Sequence, residues 1–420
     1  MLRRRLTRRY LDNYILFTTS GATSGSTFEI GYNSGSTSFL GCIAAIVYDG
    51  KVYSPTSSIT LSNEDSNEIK ICIRRQSKGL HFMLNNGSIY YGVDYSNFDM
   101  KKINNLNSQC AHKKVFNITN ITNFDTSSIK SFRYTFFDSK ITNAIISYYN
   151  LDNAEDLQCF LLSGTTSDKK ISFEKSCLQH VDNALGMFAY FRAYTKFSFQ
   201  ENSFMMAKNM SYMFMGTSST FELNNINTCQ ATDMSYMFSE LPYMIKDDSA
   251  YYRFEGISNL GTDCVEDMSY MFYNSYFLLP NGIDTIDLSY NMLSVKNADS
   301  MFESFKTWND TKLIFEDFNV QFDGTCSFVN AFKPSSYGTY KNISKLTIYG
   351  DFHGIYFGET SSSTSLPNTS VTELTVDECN SDLEETLKIW FPNAEITFLV
   401  YNDNPEIEEE PDEEIENEDE

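Results

Sequence analysis

Along this chain the spacing of apolar and polar positions changes character once. From about residue 14 to 105, short apolar runs alternate with polar ones: Tyr14-Ile-Leu-Phe17, Ser26-Thr-Phe-Glu-Ile30, Cys42-Ile-Ala-Ala-Ile-Val-Tyr48, Glu68-Ile-Lys-Ile-Cys-Ile73 and Leu80-His-Phe-Met-Leu84. Gly, Ser and Asn cluster between them, as in Thr18 to Gly25. Alternation bounded by turn residues predicts half-buried strands. Several short strands at this spacing predict a small β-sandwich over 14–105.

From 106 to about 400 two patterns take turns. One is a period-2 stretch of about five residues. It occurs at Lys196 to Gln200, Thr220 to Asn224, Thr285 to Ser289, Lys312 to Glu316, Lys345 to Tyr349, Glu373 to Asp377 and Glu395 to Leu399. The other is a word, MSYMF, written at Met210 to Phe214, Met234 to Phe238 and Met268 to Phe272. Relaxed copies end at Phe136, Leu161, Phe188, Phe302, Phe332 and Phe357, so the word recurs every 24 to 34 residues. Such a period marks a stacked-repeat architecture.

Within the word, Met, Met and Phe stand at i, i+3 and i+4, one face of a helix. Asn209, Asp233 or Asp267 stands just before it, where a side-chain oxygen can cap free backbone N–H groups. The expected unit is therefore a strand, a polar turn and a short capped helix pressing three apolar groups into a core. Each buried group contributes roughly 1.5–3 kcal/mol before ordering entropy is subtracted. One unit cannot stand alone; a stack of them can.

The words NMSYMF, DMSYMF and VEDMSYMFYNS resemble the repeat of the BspA-like leucine-rich-repeat surface proteins. Val265 with Met268, Met271 and Phe272 fits that repeat in full, and Asn123 to Ile129 is similar to the stretch leading into it. The resemblance spans about residues 115–400. It implies a strand and short-helix solenoid, here over 106–400; with the front β-sandwich the expected chain is α+β. The opening, MLRRRLTRRYLDNYILFTT, is similar to the openings of structural proteins of tailed phages.

Composition adds limits. Aromatics make up 15% of the chain, ample for a core. Twelve of the residues from Tyr401 to Glu420 are acidic, about half of the net charge of −23; this segment is expected to be a solvated, disordered tail. Residues 1–13 form a basic arm with Arg3, Arg4, Arg5, Arg8 and Arg9. The overall sign argues against general nucleic-acid binding. No secretory signal is recognisable, and no apolar run of about 18 residues is present to span a membrane. The nine cysteines show no CxxC pair and are expected as free, small core residues.

Chemistry is sparsely marked. His81, His112, His180 and His353 stand in no metal-ligand spacing, and no phosphate loop or nucleophile motif is present. The acidic cluster Asn63 to Glu68 lacks the glycine and spacing of a calcium loop and reads as a solvated turn. No enzyme activity and no cofactor are expected. The expected function is recognition or adhesion through the outward positions of the strands: Ser198, Glu222, Arg253, Asp287, Ile314, Thr347, Thr375 and Thr397. The partner would be a protein or a cell-surface glycan, met at the cell surface. The alternative is a virion structural or host-adsorption protein that displays the repeats on a particle and contacts other virion proteins.

Overall fold

The alternating runs of the front part do become strands. A computed structural model describes residues 11–30, 41–56, 58–63, 65–74, 76–80, 90–111, 118–173, 176–193, 195–242, 254–277, 285–288, 290–307, 312–315, 318–320, 326–334, 342–351, 353–359 and 367–400. Most of the arm at 1–13, and all of 401–420, lie outside them. Six strands form one sheet in the order Lys51–Tyr53, Ile43–Tyr48, Asp65–Ile73, Tyr14–Ala22, Tyr90–Asp94, Ile118–Thr122. The last two pair in parallel and the others antiparallel. A two-stranded pair, Thr27–Glu29 with Ser58–Thr60, sets Phe28 against Phe17 and Tyr91 at ring separations of 5.5 and 6.2 Å.

Two readings of this part need adjustment. The stretch read as a solvated turn is largely strand from Asp65 onward. Asn67 is buried there: its Oδ1 accepts from the Tyr48 hydroxyl at 2.6 Å and its Nδ2 donates to Thr19 Oγ1. Leu80 is buried, but residues 81–84 of its expected strand, with His81, lie outside the described residues, as does His112.

Beyond residue 106 every period-2 stretch contains a strand, and these strands pair in parallel. Lys170–Ser172, Lys196–Ser198, Thr220–Glu222 and Phe254–Glu255 form one sheet. Thr285–Leu288, Lys312–Phe315, Lys345–Ile348, Glu373–Asp377 and Glu395–Leu399 form a second. Among the described residues the chain is rich in sheet, its α-helices are Asn143–Ile146 and Glu384–Trp390, and no sheet closes into a barrel. The second helix covers the far end of the core with Leu387 and Trp390, just ahead of the last strand.

The word is not a helix. Its Met, Met and Phe are fully buried as expected, but the backbone makes consecutive turns. Met210, Tyr212, Phe214 and Gly216 donate their N–H groups to the carbonyls of Asp233, Ser235, Met237 and Ser239 in the next copy, at 2.8–2.9 Å. Met213 and Met215 donate inside the word, to Met210 and Tyr212. The same alternation runs from the copy at Asn105 to the copy at Asn297, with parallel bridges from Gly79 through Ser327. A six-residue helix would be far below the length that pays its own nucleation, about 12–15 residues. A neighbouring copy one strand spacing away takes every second N–H instead.

Turning in this way requires left-handed residues. Each word holds one at the tyrosine position and another four residues later, as at Tyr212 and Gly216 or Tyr236 and Glu240. For a residue with a Cβ this costs roughly 1–2 kcal/mol. Each inter-copy hydrogen bond returns roughly 0.5–1.5 kcal/mol, so pairing and strain nearly cancel and core burial decides the balance. The capping expectation survives in altered form. Oδ1 of Asn209, Asp233 and Asp267 accepts from the N–H two residues on, at 2.8–3.0 Å, which fixes a turn.

The interior is built of ring ladders. Phe188, Phe214, Phe238, Phe272, Phe302 and Phe332 stack in sequence at 5.0–5.6 Å, with planes within 11°. Phe197, Phe221 and Phe254 form a facing ladder from the strands. Phe357 does not continue the first ladder. Tyr356 pairs with Ser327, so Phe357 falls beside Phe328, the first position of its neighbour's word, four residues before the Phe332 that its spacing suggests.

Near the far end, His353 joins two segments. Its Nδ1 meets Asp351 Oδ1 at 2.6 Å and its Nε2 meets Asp382 Oδ1 at 2.7 Å. These hydrogen bonds raise the imidazole pKa above its ordinary value, and the contact with His353 lowers that of Asp351.

Gly216 has φ +61°, and a Cβ there would sit 2.5 Å from the Tyr190 ring, which crosses over it to donate to Glu240 Oε2 at 2.6 Å. Gly216→Ala should therefore lower stability in urea unfolding by about 1–2 kcal/mol or more. Adding Tyr190→Ala should recover part of that loss; strictly additive effects would show that ring and glycine are uncoupled.

The His353 clamp should be pH-dependent. A raised histidine pKa gives stability that is complete below the unfolded value, about 6.5, and is lost as pH rises through the folded value. The lowered Asp351 pKa adds stability above its unfolded value and loses it as pH falls through the folded one. The difference in unfolding midpoint between parent and His353→Gln should thus be largest near pH 5.5 and shrink by about pH 8.5. An equal difference at both would remove the clamp.

Candidate functional site

Parallel register turns the outward strand positions into rows. In the second sheet Asp287, Ile314, Thr347, Thr375 and Thr397 are direct partners on successive strands. In the first, Ser172 pairs with Ser198, and Glu222 pairs with Glu255. Five of the eight expected positions therefore form one unbroken row, and Ser198 and Glu222 stand on adjacent strands of the other sheet.

Their surroundings differ from the expectation in three places. Ser198 and Thr347 are 2% and 1% exposed, so neither is available on the surface. Alternation tells which side of a strand a residue takes, but not what lies over that side. Arg253 lies outside the described residues, and the position in register with Glu222 is Glu255. Glu255 was missed because the long step between Phe238 and Phe272 hides the two-residue strand; its signal is the Phe254 that continues the Phe197–Phe221 ladder. Thr397 and Asp287 are exposed, and Glu222, Ile314 and Thr375 are half-buried.

The row is charged at one end and uncharged in its middle. Lys196 Nζ lies 2.6 Å from Glu222 Oε1 and 3.9 Å from Glu255 Oε2. In the other sheet Lys345 meets Glu373 at 2.9 Å, two residues before the row. Partial desolvation raises the Asp287 carboxyl above its ordinary pKa. Surface ion pairs of this kind contribute about 0–1 kcal/mol, so their value lies in fixing side-chain positions rather than in stability.

Other chemistry-bearing groups are occupied locally. Both nitrogens of His353 already face carboxylates, so neither is free to activate a nucleophile. The nearby Cys379 thiol is pushed up by burial and by Asp351 and Asp377, the opposite of what a reactive thiolate needs. His180, exposed, has its Nδ1 2.9 Å from the Asp152 carbonyl. Among the described residues, no cluster of three or more His, Cys, Asp or Glu is arranged to hold a metal ion. Cys42, Cys72, Cys110, Cys159 and Cys326 are buried, whereas Cys264 and Cys379 are exposed.

A cleft of roughly 180 Å³ lies between the Asn143–Ile146 helix and the edge strand Lys170–Ser172. It is small beside the 300–1,000 Å³ of ordinary ligand sites. Its polar groups are engaged as well: Asn143 Oδ1 accepts from Ser172 N–H, and Ser176 Oγ accepts from Leu151 N–H.

No helix among the described residues is long and apolar enough to cross a membrane. No curated protein and no solved structure matches the chain. One family does, over residues 80–200 and again over 187–313, together more than half of the 420 residues. Its two matches fall on the part where the word recurs, and they support the expected kinship at the level of a surface-repeat family. The chain belongs to the family described as Mycoplasma protein of unknown function, DUF285.

Proposed function

We propose that this protein is a non-catalytic recognition module: a leucine-rich-repeat-like solenoid behind a front β-sandwich, displayed at the cell surface and binding a protein or glycan through its strand face. The BspA-like character of the words supports the architecture and the location. The observation that supports the binding role is the parallel register that sets Asp287, Ile314, Thr375 and Thr397 on one side of the second sheet, with Thr347 covered between them. A backbone-fixed row loses little entropy when it meets a partner, so modest contacts sum to useful affinity. Mixed carboxylate, hydroxyl and aliphatic groups suit a polar surface with small apolar steps.

The accessible members are Asp287, Thr375 and Thr397 in the second sheet, with Glu222 and Glu255 in the first. Substituting them should change binding and leave folding alone, since such surface changes usually stay within about 0.5 kcal/mol. The purified chain would be screened on a glycan array and on a panel of immobilised surface proteins. Asp287→Ala with Thr375→Ala and Thr397→Ala should abolish the strongest signal at an unchanged unfolding midpoint. Full retention of that signal would remove the strand face from consideration.

A further inference from the structure

The turn ladder carries a second surface, separate from the strand face. Tyr212, Tyr236 and Tyr270 hold the left-handed position of three consecutive words, at φ 59°, 57° and 57°. Their rings stack at 4.7 and 4.6 Å with planes 5° and 6° apart. The backbone does not demand tyrosine there. Cys159, Gly186, Ser300 and Asn330 occupy the same position in other copies, at φ 54–59°. The core does not demand it either: the three rings are half-buried, while the Met and Phe beside them are closed off. A bulky residue at positive φ is uncommon, and three in succession accept strain that the neighbouring copies relieve with smaller residues.

The surroundings of this ladder are aromatic and acidic. Tyr273 lies edge-on to Tyr270 at 5.4 Å, and Tyr190, 36% exposed, reaches over Gly216 to Glu240. Asp233 and Asp267 lie close enough to raise the Tyr212 phenol, whose desolvation is the larger cause. One row away, carboxylates are matched by cations: Lys208 with Asp182 at 3.2 Å, Lys296 with Glu266 at 2.9 Å. Asp233, Asp267 and Glu240 have no such cation among the described residues. Their oxygens accept only from backbone N–H, hydroxyl and amide groups there. The phenol oxygens of Tyr212, Tyr236 and Tyr270 bond to no described residue. The face thus offers carboxylate and phenol acceptors in rigid array, while the lysines beside it are already paired with Asp182 and Glu266.

We propose that this face binds an arginine-bearing peptide segment of a partner protein, held by Tyr212, Tyr236 and Tyr270 with Asp233, Asp267 and Glu240. A guanidinium is planar and carries five N–H donors and no acceptor, so it can donate to the carboxylates and phenol oxygens and lie on the outer flank of Tyr212, which faces Gly186 in register rather than another ring. The charge of the face and of the whole chain, −23, is complementary to it. Spacing narrows the partner further. Side chains on one side of an extended peptide repeat every ~7 Å. The ladder spans 4.7 plus 4.6 Å from first ring to last, so it takes two arginines separated by one residue.

The probe is a fluorescein-labelled Gly-Arg-Gly-Arg-Gly peptide, titrated with the full chain by fluorescence polarisation, beside the matching lysine peptide. Two variants copy what the chain itself uses elsewhere. Tyr212→Ser with Tyr236→Ser and Tyr270→Ser borrows the serine of position 300; Asp233→Asn with Asp267→Asn borrows the asparagine of 209 and 297, which keeps the turn bond. Each should weaken arginine-peptide binding by about tenfold. Glu384→Gln with Glu385→Gln, on the exposed terminal helix, should leave it within about twofold. Should the triple tyrosine variant fail to fold, Tyr236→Ser alone provides the reading. Binding that ignores the tyrosine change, or that falls equally in the control, would reduce the effect to bulk charge and overturn the proposal. So would equal affinity for the lysine peptide, or a neutral glycan bound at these residues in place of the peptide.

Discussion

The repeated part depends on one constraint: backbone hydrogen bonds between successive copies, in parallel and without slippage. Parallel strands sit about 4.7–4.9 Å apart, and every side-chain row inherits that interval. Phenylalanine rings at 5.0–5.6 Å and tyrosine rings at 4.6–4.7 Å are its direct expression. Like residues stack because the register leaves them no other neighbour. A side chain that suits one copy is therefore tested against the same position in the copies above and below it.

That constraint also explains why the word coils as it does. If each word were helical, its N–H groups would be satisfied internally and nothing would lock one copy to the next. Alternate turns divide the donors, half to the word itself and half to its neighbour. The cost is a pair of left-handed residues per copy, placed four apart from Tyr134 and Asp138 to Ser300 and Ser304. At Gly216 the position must both turn and make room for Tyr190.

Much of this was legible in the sequence, and the failures have physical reasons. The period and all seven period-2 strands were readable because burial on one side imposes alternation. The burial of Met, Met and Phe was readable too, but not the conformation, since i, i+3, i+4 spacing is met equally by a helix and by two linked three-residue turns. A copy at Asn105 to Ala111 is hidden in the sequence because Cys110 stands where the aromatic is usual, though Leu106 and Cys110 are buried and in register. On the strand face, periodicity set Asp287, Thr375 and Thr397 in one row and could not foresee that Ser198 and Thr347 are covered. The tyrosine ladder also has a signal in the sequence, the same letter at the same place in three adjacent words.

A parallel stack also has ends, and an unpaired strand is an invitation to further pairing. At the near side of the first parallel sheet the invitation is withdrawn locally: Asn143 Oδ1 takes the N–H of Ser172, and the Asn143–Ile146 helix stands against that edge. At the far side Glu384–Trp390 closes the core, but Glu395–Leu399 has no further partner among the described residues. Its defence is charge. Glu373 and Glu395 stand opposite each other at the start of the last two strands, and twelve acidic residues follow from position 401. A second copy arriving edge to edge would bring two such segments together, and like charges packed within a Debye length oppose the contact that the backbone would otherwise favour. Charge at that edge thus works against pairing between chains, while pairing between copies within the chain is untouched by it.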